Sequence, residues 1–148
     1  MKIIIINGPN LNLLGTREPD IYGHETLEDI AQRCAQAATS RNVELEFLQS
    51  NYEGQLVEWI QEAIGTADAI IINAAAYTHT SVAIHDALKC YTGMSIELHI
   101  SNPHMRESFR HHSYVSSAVD AAIMGLGVDG YVHAINVVID QLTAQDGD

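Results

Sequence analysis

The chain has 148 residues, 47% hydrophobic and 18% charged, a composition that buries a core rather than staying disordered. Nineteen acidic residues against seven basic ones give a formal net charge of −12. That balance argues against nucleic-acid binding, which rests on Lys and Arg neutralising phosphates, and against attraction to anionic lipid. One domain over residues 1–148 is expected, large enough to bury roughly 68–70% of the unfolded chain's surface without a disulfide or metal staple.

The chain opens on a β-branched run, residues 3–6, that stops at Asn7-Gly8-Pro9 and reads as a buried strand. This run is too short for a signal peptide's apolar region, and no stretch reaches the ~18 apolar residues of a membrane span, so a cytoplasmic protein is expected. Residues 10–25 read as a polar loop, and within it Gly15 and Gly23 bracket the GTREPDIYG segment like lid hinges. Thr26-Leu27-Glu28-Asp29 has the form of a capped helix start, and Leu27, Ile30, Ala31, Cys34, Ala35 and Ala38 follow at helical spacing. Val43, Leu45 and Phe47 alternate with Glu44 and Glu46, which predicts a strand with one wet face at a sheet edge. Further along, residues 55–64 and 81–91 read as helices, 69–72, 95–100 and 121–124 as strands, and the segment carrying Tyr131, Ile135, Val138, Ile139 and Leu142 as a final helix. Cys34 and Cys90 form no CxxC pair and are expected to be buried, reduced thiols.

Alternating strands and helices imply right-handed crossovers and a parallel sheet covered on both faces. Five strands in this length predict an α/β, flavodoxin-like, doubly wound sheet of order 2-1-3-4-5, with the half-wet second strand at its edge. In such sheets ligands bind beyond the carboxyl ends of the strands. Here those ends carry NGPNLNLLG, QSNYEG, NAAAYTHTS and HISNPHMRE, rich in amides that both donate and accept, as recognition of a hydroxylated small molecule requires.

On the fourth strand Ile96, Leu98 and Ile100 share one face and Glu97 and His99 the other. A glutamate beside a histidine fixes the imidazole tautomer and stabilises its protonated form. Tyr22, in GTREPDIYG, is a candidate base, and Arg17 in the same loop is the residue type that favours a phenolate because it keeps its own proton. Six of the eight histidines (His79, His85, His99, His104, His111 and His112) lie between the third and fifth strands, but without HExxH or Cys–His zinc spacing, so no metal site is expected. The first turn is neither GxGxxG nor GxxxxGKS/T, and Asn7 and Asn73 stand where a signalling receiver would need acids.

NGPNLNLLGTREPDIYG, QSNYEG, NAAAYTHTS, ELHISNPHMRESFRHHSY and GLGVDGY, in this order over essentially the whole chain, closely resemble the motifs of the type II 3-dehydroquinate dehydratases. The resemblance implies a flavodoxin-like subunit assembled as a dodecamer, a tetramer of trimers, that interconverts 3-dehydroquinate and 3-dehydroshikimate with neither metal nor organic cofactor. By motif, Tyr22 would be the base at C2, Arg17 would keep it ionisable, and Asn10 would help stabilise the enolate through water. His99, held by Glu97, would protonate the departing hydroxyl. Asn73, His79 and Arg110 would bind hydroxyls and carboxylate, Ile100 and Ser101 would offer backbone amides, Asp86 would reach the site from a neighbouring subunit, and Arg106 belongs to the same surroundings.

The residues themselves agree with that chemistry, because eliminating water beside a ketone needs a base, an acid and a place for enolate charge. A Schiff-base route needs a desolvated lysine, whereas Lys2 opens the first strand and Lys89 lies late in a helix. Tyr52, His85, Ala74-Ala75, Pro103 and Met105 depart from the common pattern, where His, Arg and Pro-Gly often stand at the first three sites. His85 puts the contact made by Asp86 in doubt, and Ala74-Ala75 alters backbone freedom. The substrate is an anion, so Arg110 must outweigh the global field locally, which a screening length of about 8 Å allows. The rival readings are a metal-dependent hydrolase built on the histidines and a flavodoxin-like binding or signalling module. Biosynthesis and quinate breakdown use the same interconversion, so the motifs do not divide them.

Overall fold

A run of four isoleucines leaves no polar face for water, and residues 3–6 lie at the centre of a sheet covered on both sides. The structure, a computed structural model, describes residues 1–16, 18–145 and 147. Its strands are β1 (Lys2–Asn7), β2 (Glu44–Gln49), β3 (Ala69–Asn73), β4 (Met94–His99) and β5 (Ala121–Met124). They pair in the order β2-β1-β3-β4-β5, all parallel, which is the order expected from the alternation of periods. The helices are α1 (Pro19–Tyr22), α2 (Leu27–Ser40), α3 (Glu53–Ala63), α4 (Val82–Cys90) and α5 (Asp129–Gln145).

Strand alternation divides the core in two. Ile3, Ile5, Ile71, Ile96 and Leu98 face α2 and α5, whereas Ile4, Ile6, Ile70 and Ile72 face α3 and α4. Each fully buried isoleucine contributes about 1.5–3 kcal/mol, so the two-sided sheet is the main source of stability. The register sets Asn7 beside Asn73, so the polar residues that end these strands become neighbours at one edge. At the opposite edge Lys2 reaches Glu46 at 2.6 Å and Glu44 at 3.5 Å, which accounts for the wet face of β2. The cap before α2 forms as the sequence predicts: Thr26 Oγ1 accepts from the Asp29 amide and Asp29 Oδ2 from the Thr26 amide.

Two expectations are corrected. Residues 10–25 are not simply a polar loop: a 3-10 turn, Leu11–Leu13, seats Leu11 in the core, Leu14 follows it there, and α1 adds one helical turn. Cys34 is buried, its thiol pushed up to about 12 by burial, but Cys90 is exposed because the buried stripe of α4 runs through Ile84, Ala87 and Leu88. No helix among the described residues is long and apolar enough to cross a membrane.

The connection after β3 is strained where the sequence departs from the usual Pro-Gly. Ala75 sits at φ +52°, a left-handed conformation that crowds any Cβ. Ala75→Gly is therefore expected to raise stability by about 0.5–1 kcal/mol, read as a melting temperature higher by roughly 1–4 °C. Gly8 tolerates no such freedom in reverse, since a Cβ there would lie 2.4 Å from the Ala74 carbonyl oxygen.

Candidate active site

The first, third and fourth strand ends border a cleft that opens to solvent. Asn10, Tyr22, Asn73, His79, His99, Ile100, Ser101 and Arg110 all line it, and Arg106 joins them. The second strand end braces the site rather than lining it. Asn51 Oδ1 accepts from the Asn10 amide at 3.0 Å and from Gln49 Nε2 at 3.2 Å, and its carbonyl accepts from the Tyr77 hydroxyl at 2.7 Å. Asn10 is thereby held at φ +68°, a conformation asparagine tolerates better than most side chains. Tyr52 projects into solvent, 78% exposed, so its departure from the common pattern does not touch the cleft.

Glu97 and His99 meet as their spacing on β4 predicts. His99 Nε2–H donates to Glu97 Oε1 at 2.8 Å, which leaves Nδ1 as the nitrogen available for a second proton. Glu97 is 1% exposed. Burial by itself would push its carboxyl up, but hydrogen bonds from His99, Ser116 and Ser113 together hold it below the usual glutamate value. Sequence reasoning did not single out those two serines, which stand sixteen and nineteen residues from Glu97.

His79 Nδ1 lies 2.8 Å from the His112 carbonyl oxygen, which can only accept, so Nδ1 carries the proton and Nε2 is left to accept from a ligand hydroxyl. Burial lowers the pKa of this ring and favours that neutral form. Asn73 is oriented by a buried relay. Asn7 Nδ2 donates to the Leu48 carbonyl, which turns Asn7 Oδ1 toward the Tyr131 hydroxyl at 2.6 Å. The Tyr131 oxygen in turn accepts from Asn73 Nδ2 at 3.0 Å, while Asn73 Oδ1 accepts from the Ala75 amide. The relay settles which end of the Asn73 amide is which, and it needs Tyr131, 124 residues from Asn7, which no local pattern marks as part of the site.

The cleft is cationic although the chain is acidic. The Arg106 guanidinium lies 5.3 Å from the centre of the Tyr22 ring. Arg110 donates from Nε to Glu107 at 2.9 Å and packs over Phe109. The backbone amide of Glu107 itself, and then Arg110, hold the Glu107 carboxyl below its ordinary value. Arg17 lies outside the described residues. Asp86 is exposed on α4 and does not line the cleft, and its neighbour His85 donates from Nδ1 to the Tyr114 carbonyl at 2.7 Å. Lys2 is tied to the two glutamates of β2, Glu46 chiefly raising its pKa, and neither it nor the exposed Lys89 reaches the cleft. The turn after β5 supports the floor, with Gly127 donating to the Ile100 carbonyl and Gly125 to that of Ser101. Among the described residues no three His, Cys, Asp or Glu side chains gather in a metal-ligating arrangement.

A phenol, a carboxylate-braced imidazole and guanidinium groups around one small cleft are suited to moving a proton and stabilising an anion. Comparison with known proteins gives the same direction. Residues 1–139 match the family described as dehydroquinase class II. The chain is 62% identical over 139 residues to the 3-dehydroquinate dehydratase of Bartonella henselae, covering 94% of each chain. It is 57% identical over 141 residues to catabolic 3-dehydroquinase 1 of Fusarium vanettenii, covering 95% of this chain and 98% of that one. The crystal structure of the type II dehydroquinase from Butyrivibrio crossotus superposes with a TM-score of 0.91 at 46% identity, over 93% of this chain and 97% of the other. With the motifs in order, the sheet order shared and more than half of the residues identical to such relatives, the chain belongs to the class II dehydroquinase family.

Proposed function

We propose that the protein is a hydro-lyase that reversibly removes water from 3-dehydroquinate to give 3-dehydroshikimate. In this reading Tyr22, as phenolate, takes the proton from C2 beside the ketone, and the electron pair moves onto the carbonyl oxygen as an enolate. Asn10 supports that oxygen, through water. The enolate then re-forms the ketone as the C–O bond to the departing hydroxyl breaks, and His99 supplies the proton that makes the leaving group water. Arg106, whose guanidinium lies 5.3 Å from the Tyr22 ring centre, provides permanent positive charge beside a group that must become negative, and Arg17 is assigned the same task by motif alone. Asn73, His79, Arg110 and the amides of Ile100 and Ser101 hold the hydroxyls and carboxylate of the substrate. Asp86 acts in a neighbouring subunit's site, within a dodecamer arranged as a tetramer of trimers. The chemistry is carried by side chains, with no metal or organic cofactor assigned a step.

The observation that supports this reading is that Tyr22 and the Glu97-braced His99 line the same cleft, which no lysine reaches. The experiment is an ultraviolet assay for the conjugated enone formed from 3-dehydroquinate, run after exhaustive chelation. An absorbance rise that survives chelation is expected. A flat trace with folded protein would refute the lyase reading, and a rise abolished by chelation would refute the metal-free mechanism.

A further inference from the structure

Glu97 is almost wholly buried, yet both of its carboxylate oxygens accept hydrogen bonds. Oε1 receives His99 Nε2–H at 2.8 Å and the Ser113 hydroxyl at 2.7 Å, and Oε2 receives the Ser116 hydroxyl. The direction of the Ser113 bond is forced. Its Oγ accepts the amides of Val115 at 3.1 Å and Ser116 at 3.0 Å, which occupies the oxygen's lone pairs and commits its one hydrogen to Glu97. A carboxylate fed by three donors stays ionised in a place where an unsupported one would take a proton.

We infer that Ser113 and Ser116 are positioning residues for the reaction: they hold Glu97 as an oriented anion, and through it fix the tautomer and charge of His99. The inference rests on the reading of His99 as the proton donor. Among the described residues the other titratable or charged groups around the small cavity beside Glu97 are His79, His104, Arg110 and His111, whereas the hydrogen bonds to the carboxylate come from His99 and the two serine hydroxyls. Without them Glu97 would protonate at higher pH, and a neutral Glu97 no longer stabilises an imidazolium.

The test is kcat and KM against pH for the full-length Ser113→Ala, Ser116→Ala and double variants, beside Ser113→Thr, Ser116→Thr and His99→Gln, with melting curves for each. The double alanine variant is expected to lose on the order of tenfold in kcat, with KM changed less. Its acid limb is expected to move to higher pH, and each threonine variant, which keeps the hydroxyl, to retain the normal profile. A uniform loss across pH with the acid limb unmoved, no loss at all, or a threonine variant as impaired as its alanine counterpart in folded protein would overturn the inference. If the double variant fails to fold, Ser116→Ala alone decides, since that residue lies at the surface. Wild-type turnover in His99→Gln would instead overturn the assignment of the acid, a separate failure.

Discussion

Replacing Tyr22 by phenylalanine is expected to lower kcat by about 10²–10⁴-fold, the usual contribution of a positioned general base, with melting temperature nearly unchanged. The substitution removes one oxygen from a half-buried side chain and leaves the ring against which Arg106 packs. Stopped-flow or steady-state ultraviolet assays measure the loss directly. KM should change little, because the phenolic oxygen is asked to act on the proton at C2 rather than to hold the substrate. Near-normal turnover would refute Tyr22 as the base.

His99→Gln is expected to cost a similar factor, about 10²–10⁴-fold in kcat, for a different reason. Glutamine fills similar space and can still donate to Glu97, but it cannot deliver a proton to a departing hydroxyl. The two losses therefore separate the steps. Tyr22→Phe should abolish exchange of the C2 proton with solvent, whereas His99→Gln should leave that exchange measurable by NMR while stopping net dehydration. Loss of exchange in both variants, or retention in both, would show that the base and acid roles are wrongly divided. The Glu97 carboxylate ties the second variant to the serines, since it accepts from His99, Ser113 and Ser116 together.

The parts legible in the sequence were those encoded by short-range periodicity. Isoleucine runs marked the buried strands, and the i, i+2 placement of Glu97 and His99 put both on one face of β4, where they pair at 2.8 Å. The alternation in β2 identified an edge, and Thr26 with Asp29 marked a helix start that forms as a reciprocal cap. Local pattern failed where an apolar residue sat among polar ones: Leu11 and Leu14 are core residues inside a segment that reads as a loop. It failed again for Cys90, two residues beyond Leu88, the last of the buried stripe of α4.

The sequence by itself determined the order of elements, the two-sided sheet and the residue types that gather at its carboxyl edge, because each depends on which way a side chain faces from its own backbone. Only the tertiary structure decided what those residues do to one another. Asn10 lines the cleft while Asn51 braces it, Tyr131 orients Asn73 from the last helix, and two serines from beyond β4 hold Glu97. Such contacts join residues far apart in the chain, and strand register and the packing of helices on the sheet, rather than any local period, bring them within hydrogen-bonding distance.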